Sequence, residues 1–293
     1  MTAFRREARY LQARWRDAHH HPIGTQPIVP KAGGPPARPV GSRLPLDHAQ
    51  STGATFLTPA ALDAARARTA QIEPHQTFDH QRLWADLLWS QTLAFNLFGD
   101  LAADLELADR AVHTWLPDAP GKVGAVRFAH SPGRFDPTFL NSLRTFSTAF
   151  TLDLADGTSG IVAVEALYHE RNKAETPRPE NLGRYAEVAE RSGVFAPGAI
   201  DLLQRRGDLC VMWLEHLLML SMVQHVSGRW SWGRLVVVHP AGNCDVADAC
   251  DRYRALLSDE YTFVATTLEA LLDRDALPEP TVALLRERYL SPG

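Results

Sequence analysis

Apolar positions recur at helical spacing in several parts of the chain. Between residues 3 and 18 they are Phe4, Ala8, Leu11 and Trp15, one face of a short amphipathic helix. Over 79–98, Leu83, Leu87, Ala94 and Phe98 form one stripe, and Gln91 is the polar residue inside it. Thr58 followed by Pro59 reads as a helix start, a capping hydroxyl before a proline in the first turn. Strand-like segments come next at 123–130, 145–154 and 160–168, with Asp156-Gly157 between the last two as a hairpin signal. Helical patterning returns from 181 to about 226. Its last run places Leu209, Met212, Trp213, His216, Leu217 and Leu220 on one face. A buried strand at 234–239, a helix near 246–257, a strand at 261–265 and a helix capped by Thr267 complete the order. That order predicts an α/β fold with a mixed central β-sheet flanked by helices.

Composition changes this picture at the N-terminus. Residues 19–53 are rich in Pro and Gly and weakly periodic, so they read as an extended connection over the surface. Residues 1–45 include Arg5, Arg6, Arg14, Arg16, Lys31, Arg38 and Arg43 against Glu7 and Asp17, while the whole chain carries a net charge of −4. A basic arm thus precedes an acidic body, and the body as a whole repels phosphate. The run His19-His20-His21 is expected to be solvent exposed, because a metal site there needs further ligands. Cys210, Cys244 and Cys250 are odd in number and form no CxxC pair, which argues for reduced thiols over disulfides or structural zinc. No apolar run approaches the ~20 residues of a membrane span, and no apolar stretch follows the N-terminal arginines. A cytoplasmic protein without membrane attachment is the expectation.

Five blocks, in order, carry a resemblance: LLWSQTLAFNLFGDL (87–101), HSPGR (130–134), GIVAVEALYHE (160–170), WLEHLL (213–218) and VVHPAGN (237–243). With YLQARW (10–15) they resemble a bacterial family of restriction-endonuclease-like proteins in the PD-(D/E)XK nuclease superfamily. The resemblance implies a restriction-endonuclease-like core over 54–293, preceded by a basic helix and arm over 1–53. It also implies an Asp on one central strand and Glu-x-Lys on the next. Together they hold Mg²⁺ or Mn²⁺ and activate water for phosphodiester hydrolysis.

Read onto this sequence, a two-residue Asp156-Gly157 loop places Thr148 directly opposite Glu165, with Leu167 and His169 on the same face. Two of the three motif positions are then chemically wrong. Thr148 brings no charge and Leu167 neither charge nor donor, so Glu165 alone binds a hard divalent cation loosely. Candidates to compensate are Gln91, His169 and Glu170, with Lys173 as a migrated lysine and His216 as a core or site histidine. Gln91 in an apolar stripe requires a partner, either backbone or an active-site group.

These residues support a degenerate PD-(D/E)XK protein, inactive or strongly altered, acting by binding nucleic acid through the basic arm or by binding a protein partner. The alternatives are a metal-dependent phosphodiesterase with a rearranged site, and a small-molecule enzyme reusing the pocket.

Overall fold

Thr2 opens the first helix, α1 (Ala3–Ala18), by accepting the Arg5 amide at 3.2 Å. The structure, a computed structural model, describes residues 2–76, 78–170 and 174–290. The Pro/Gly-rich connection holds a two-stranded ribbon, β1 (Gly24–Gln26) with β2 (Arg38–Val40), and a short helix, α2 (Leu46–Thr52). Thr58 caps α3 (Pro59–Ala70) through the Ala61 amide, as its sequence predicts.

The single helix expected over 79–98 is two, α4 (His80–Ala85) and α5 (Ser90–Ala103). The break has a physical cause. Residues 42–44 run beside 85–87 like a strand, with Leu44 N–H donating to Ala85 O and Leu87 N–H to Ser42 O. Asp86 then accepts the Leu88 amide at 3.1 Å and the Arg82 guanidinium at 3.0 Å. Asp104 caps the next helix, α6 (Leu105–Trp115), in a stretch for which the sequence pattern predicts no element.

The meander follows as β3 (Lys122–His130), β4 (Phe146–Asp153) and β5 (Ser159–Ala166), all antiparallel neighbours. Helices α7 (Leu182–Ser192), α8 (Ala199–Arg205) and α9 (Cys210–Val223) cross over to β6 (Trp230–His239), which lies parallel to β5. Helix α10 (Cys244–Arg254) leads to β7 (Phe263–Thr267), parallel to β6, and Thr267 caps α11 (Leu268–Leu272). The last helix, α12 (Glu279–Tyr289), lies against α1. The five-stranded order β3-β4-β5-β6-β7 is the mixed sheet that the pattern predicts.

Strand alternation sends Phe150, Leu152, Val162, Val164, Val236 and Val238 to one core, under α5 and α6. Ala149, Ile161, Ala163, Leu235 and Val237 face the other core, under α7 and α9. The hairpin between β4 and β5 departs from the two-residue expectation. Asp153 pairs with Ser159, and Leu154 N–H donates to Thr158 O at 3.1 Å. The loop is therefore three residues, 155–157, with Gly157 at φ 81°. Such loops place a glycine in the left-handed region, and each added residue moves the register by one.

Candidate active site

That one-residue change decides what faces Glu165. Thr148 pairs with Val164, which puts Ser147 opposite Glu165. Both Ser147 N–H, at 3.2 Å, and Ser147 Oγ, at 2.8 Å, donate to Glu165 Oε2. The expectation that Thr148 opposes Glu165 is thus corrected. Thr148 is fully buried in the opposite core, and its Oγ1 has no hydrogen-bond partner among the described residues.

Glu165 is half-buried on the face covered by α9, at the floor of a pocket of about 360 Å³. The pocket is lined by Arg144 and Arg178, by Glu175 and by Glu215. Glu215 comes from α9, a helix whose interior is otherwise almost wholly apolar, and it is 4% exposed. Arg144 lies in the loop before β4, with Nη1 3.7 Å from Glu215 Oε1 and Nη2 donating to Glu175. A cation held between two carboxylates is the electrostatic centre of this pocket.

Burial raises the Glu165 pKa to about 7, against the pull of the two Ser147 hydrogen bonds. Burial also holds Glu215 well above the usual carboxylate range, and the nearby Glu165 charge adds to that effect. Arg144 opposes both shifts. The pair thus resists carrying two negative charges at once.

A pH dependence of stability follows with a definite sign. A carboxyl whose folded pKa lies above its unfolded value binds more protons when folded, so stability falls as pH rises between the two. For Glu165 that window runs from 4.5 to about 7. Glu165→Gln should remove this contribution. Urea denaturation at pH 5 and pH 8 is expected to show the variant gaining on wild type as pH rises. Parallel pH profiles would contradict the assignment.

The remaining sequence candidates are dispersed. Leu167 shares the Glu165 face by alternation and packs into the second core, with its N–H on Val238 O. Gln91 Nε2 donates to Ser147 O at 2.9 Å, so its partner is the backbone of the residue facing Glu165. His169 is buried at the bend beyond β5, 3.5 Å from Glu170, and does not line the pocket. Its Nδ1 has no hydrogen bond among the described residues. Glu170 accepts from Ser90 Oγ and from His169 N–H at 3.0 Å. His216 points away from Glu165 to Tyr253 Oη and Thr262 Oγ1, each at 2.9 Å. Burial lowers its pKa to about 3, which makes it a neutral core histidine. Lys173 lies outside the described residues.

Sequence reasoning missed Arg144, Glu175 and Glu215. The signal for Glu215 was available. A lone acid inside CVMWLEHLLMLSMV cannot stay buried without a partner.

Several of the resembling blocks converge on the end of β5. Gln12 donates to Tyr168 Oη at 3.2 Å, Ser90 Oγ accepts the Tyr168 amide at 2.8 Å, and Asn243 donates to Tyr168 O and Glu170 O. The family model of the PD-(D/E)XK nuclease superfamily matches residues 2–291. The chain belongs to that superfamily. No curated protein and no solved structure matches the chain. The mixed five-stranded sheet flanked by helices is the PD-(D/E)XK restriction-endonuclease-like core. No helix among the described residues is long and apolar enough to cross a membrane.

PD-(D/E)XK nucleases commonly use Mg²⁺ or Mn²⁺, and the pocket residues fit such an ion poorly. Glu165 Oε2 already accepts two hydrogen bonds, and Glu215 pairs with Arg144. Among the described residues no three His, Cys, Asp or Glu side chains are grouped to hold a metal. Mg²⁺ favours anionic oxygens in near-octahedral array, which this set does not supply.

Proposed function

We propose that this PD-(D/E)XK protein has a degenerate catalytic centre and acts by binding nucleic acid. The observation that carries the reading is the pair of residues around Glu165: Ser147 opposite it and Leu167 two positions on. Neither supplies the second acid or the amine that phosphodiester hydrolysis of this type draws on. Arg144, a cation that lines the pocket, is engaged by Glu175 and Glu215. A binding role draws support from α1. Its exposed face carries Arg6, Arg9, Tyr10 and Arg14, and its buried face contacts Tyr168 just past β5. Arginines along one helix, with an aromatic between them, suit a phosphate backbone with stacked bases.

A second reading, a rearranged metal-dependent phosphodiesterase, has one observation in its favour. Glu165 and Glu215 are two interacting acids in one pocket, and a divalent cation would relieve their reluctance to ionise together.

One experiment separates the two. Single- and double-stranded DNA and RNA are incubated with the purified chain in Mg²⁺ and in Mn²⁺, and binding is followed across a salt series. We expect cleavage no faster than that of Glu165→Ala. Binding should weaken with salt. The Arg6→Ala/Arg9→Ala/Arg14→Ala variant should reduce the log–log salt slope by up to about 0.9 for each phosphate it no longer neutralises. Rapid wild-type cleavage abolished in Glu165→Ala would establish the second reading. Salt-insensitive or undetectable binding would remove nucleic acid as the partner.

A further inference from the structure

The three consecutive histidines after α1 do not all point into solvent. His20 takes a left-handed backbone, φ 55°, and His21 N–H returns to Arg16 O at 3.0 Å. This folds the half-buried His21 ring back over Trp15, with centroids 5.6 Å apart. There it meets His48 from α2. His21 Nδ1 and His48 Nε2 lie 3.3 Å apart, their rings tilted at 59°. His19 stacks parallel to His21 at 6.2 Å, and its Nε2 is held by Glu287 Oε1 at 2.9 Å. The further ligand that the histidine run lacks in sequence is therefore supplied by a residue 27 positions away.

We propose that His21 and His48 form a chelating site for a zinc-type divalent cation, with water completing the coordination. Two Zn–N bonds of about 2.0–2.1 Å meeting at the tetrahedral angle place their nitrogens roughly 3.3–3.4 Å apart, the separation seen between Nδ1 and Nε2. At that separation the ion would sit off the line joining the two nitrogens, so the rings keep their spacing and swing to aim both lone pairs at it. Imidazole pairs select zinc, nickel or copper over Mg²⁺, which separates this site chemically from the Glu165 pocket. Both ligands are pre-positioned, His21 by its backbone hydrogen bond and the Trp15 ring, His48 by its place in α2. The ion would clip the end of α1 to α2 and close the Pro/Gly-rich loop between them. The site is independent of the proposed nuclease-like centre.

The test is calorimetric titration of the full chain with Zn²⁺, alongside thermal unfolding with and without the metal. Wild type, Glu165→Ala and His20→Asn should bind one Zn²⁺ and unfold at higher temperature in its presence. His21→Gln and His48→Gln should lose both effects while keeping the metal-free unfolding temperature close to wild type, which shows them folded. No Zn²⁺ uptake by wild type would reduce the contact to a hydrogen bond between neutral rings and overturn the proposal. Undiminished uptake by His48→Gln would assign the metal to the exposed histidine run instead, with the same consequence. Uptake lost in Glu165→Ala would move the site to the sheet and also overturn it.

Discussion

A Ser147→Asp/Leu167→Lys double variant is expected to cleave DNA in Mg²⁺ at least about 10²-fold faster than the wild-type chain, by analogy with the rate lost when one charge-stabilising donor is removed. Ser147 is directly opposite Glu165 in the antiparallel pair, where Cβ atoms stand about 4.5–5.5 Å apart. An acid there would share a cation with Glu165. Leu167 follows on the same face at about 6.6 Å along the strand. A lysine there would bring its ammonium to the charge that develops on the scissile phosphate. Arg144 need not move, because Glu175 and Glu215 already hold it. The informative control is Thr148→Asp/Leu167→Lys. Thr148 faces the other core and is fully buried, so its replacement by an acid should destabilise the fold and restore nothing. A folded Ser147→Asp/Leu167→Lys chain with no gain in cleavage would sink the idea that these two positions silence the centre.

The contrast between Thr148 and Ser147 shows where sequence legibility stopped. The order of elements could be read because strand and helix periods differ, and the caps at Thr58 and Thr267 fixed two helix starts. The hairpin could be located from Asp156-Gly157, but a two-residue and a three-residue loop share that dipeptide. Side-chain direction alternates with each residue, so the choice between them exchanges the faces of a whole strand. The long helix expected from 79 broke because a distant segment, 42–44, pairs beside it, and no local pattern records that pairing. The pocket chemistry was harder still. Arg144 and Glu175 come from loops and Glu215 from a helix interior, and only the folded crossover brings them to Glu165. Beside Glu215, His216 is the more commonly reactive residue type. One residue turns about 100° along a helix, and that rotation sends His216 to Tyr253 while Glu215 meets Arg144.

Arg288→Ala is expected to cost roughly 3–5 kcal/mol of stability, the combined effect of buried acceptors left without donors and of the cavity left by a large side chain. Arg288 has no exposed surface, and it forms no ion pair with a carboxylate among the described residues. Instead its guanidinium donates to Gln12 Oε1 at 3.0 Å, Thr55 O at 2.6 Å and Leu87 O at 3.3 Å. It also lies over Trp15 at 4.5 Å and Tyr289 at 4.9 Å. Burial lowers its pKa, and the hydrogen bonds and ring faces offset that cost. One side chain thereby joins α12 to α1, to the segment before α3 and to the break between α4 and α5. Truncation leaves Gln12 Oε1 and two buried carbonyls without these donors and opens a cavity beside Trp15. Arg288→Lys should recover only part of the loss, since a single ammonium cannot reproduce the planar fork or its stacking. Urea denaturation of Arg288→Ala, Gln12→Ala and the double variant measures the coupling directly. A combined loss well below the sum of the two single losses is expected, because both changes break the same bond. A loss under about 1 kcal/mol for Arg288→Ala would show that the guanidinium contributes little to holding α1 against α12.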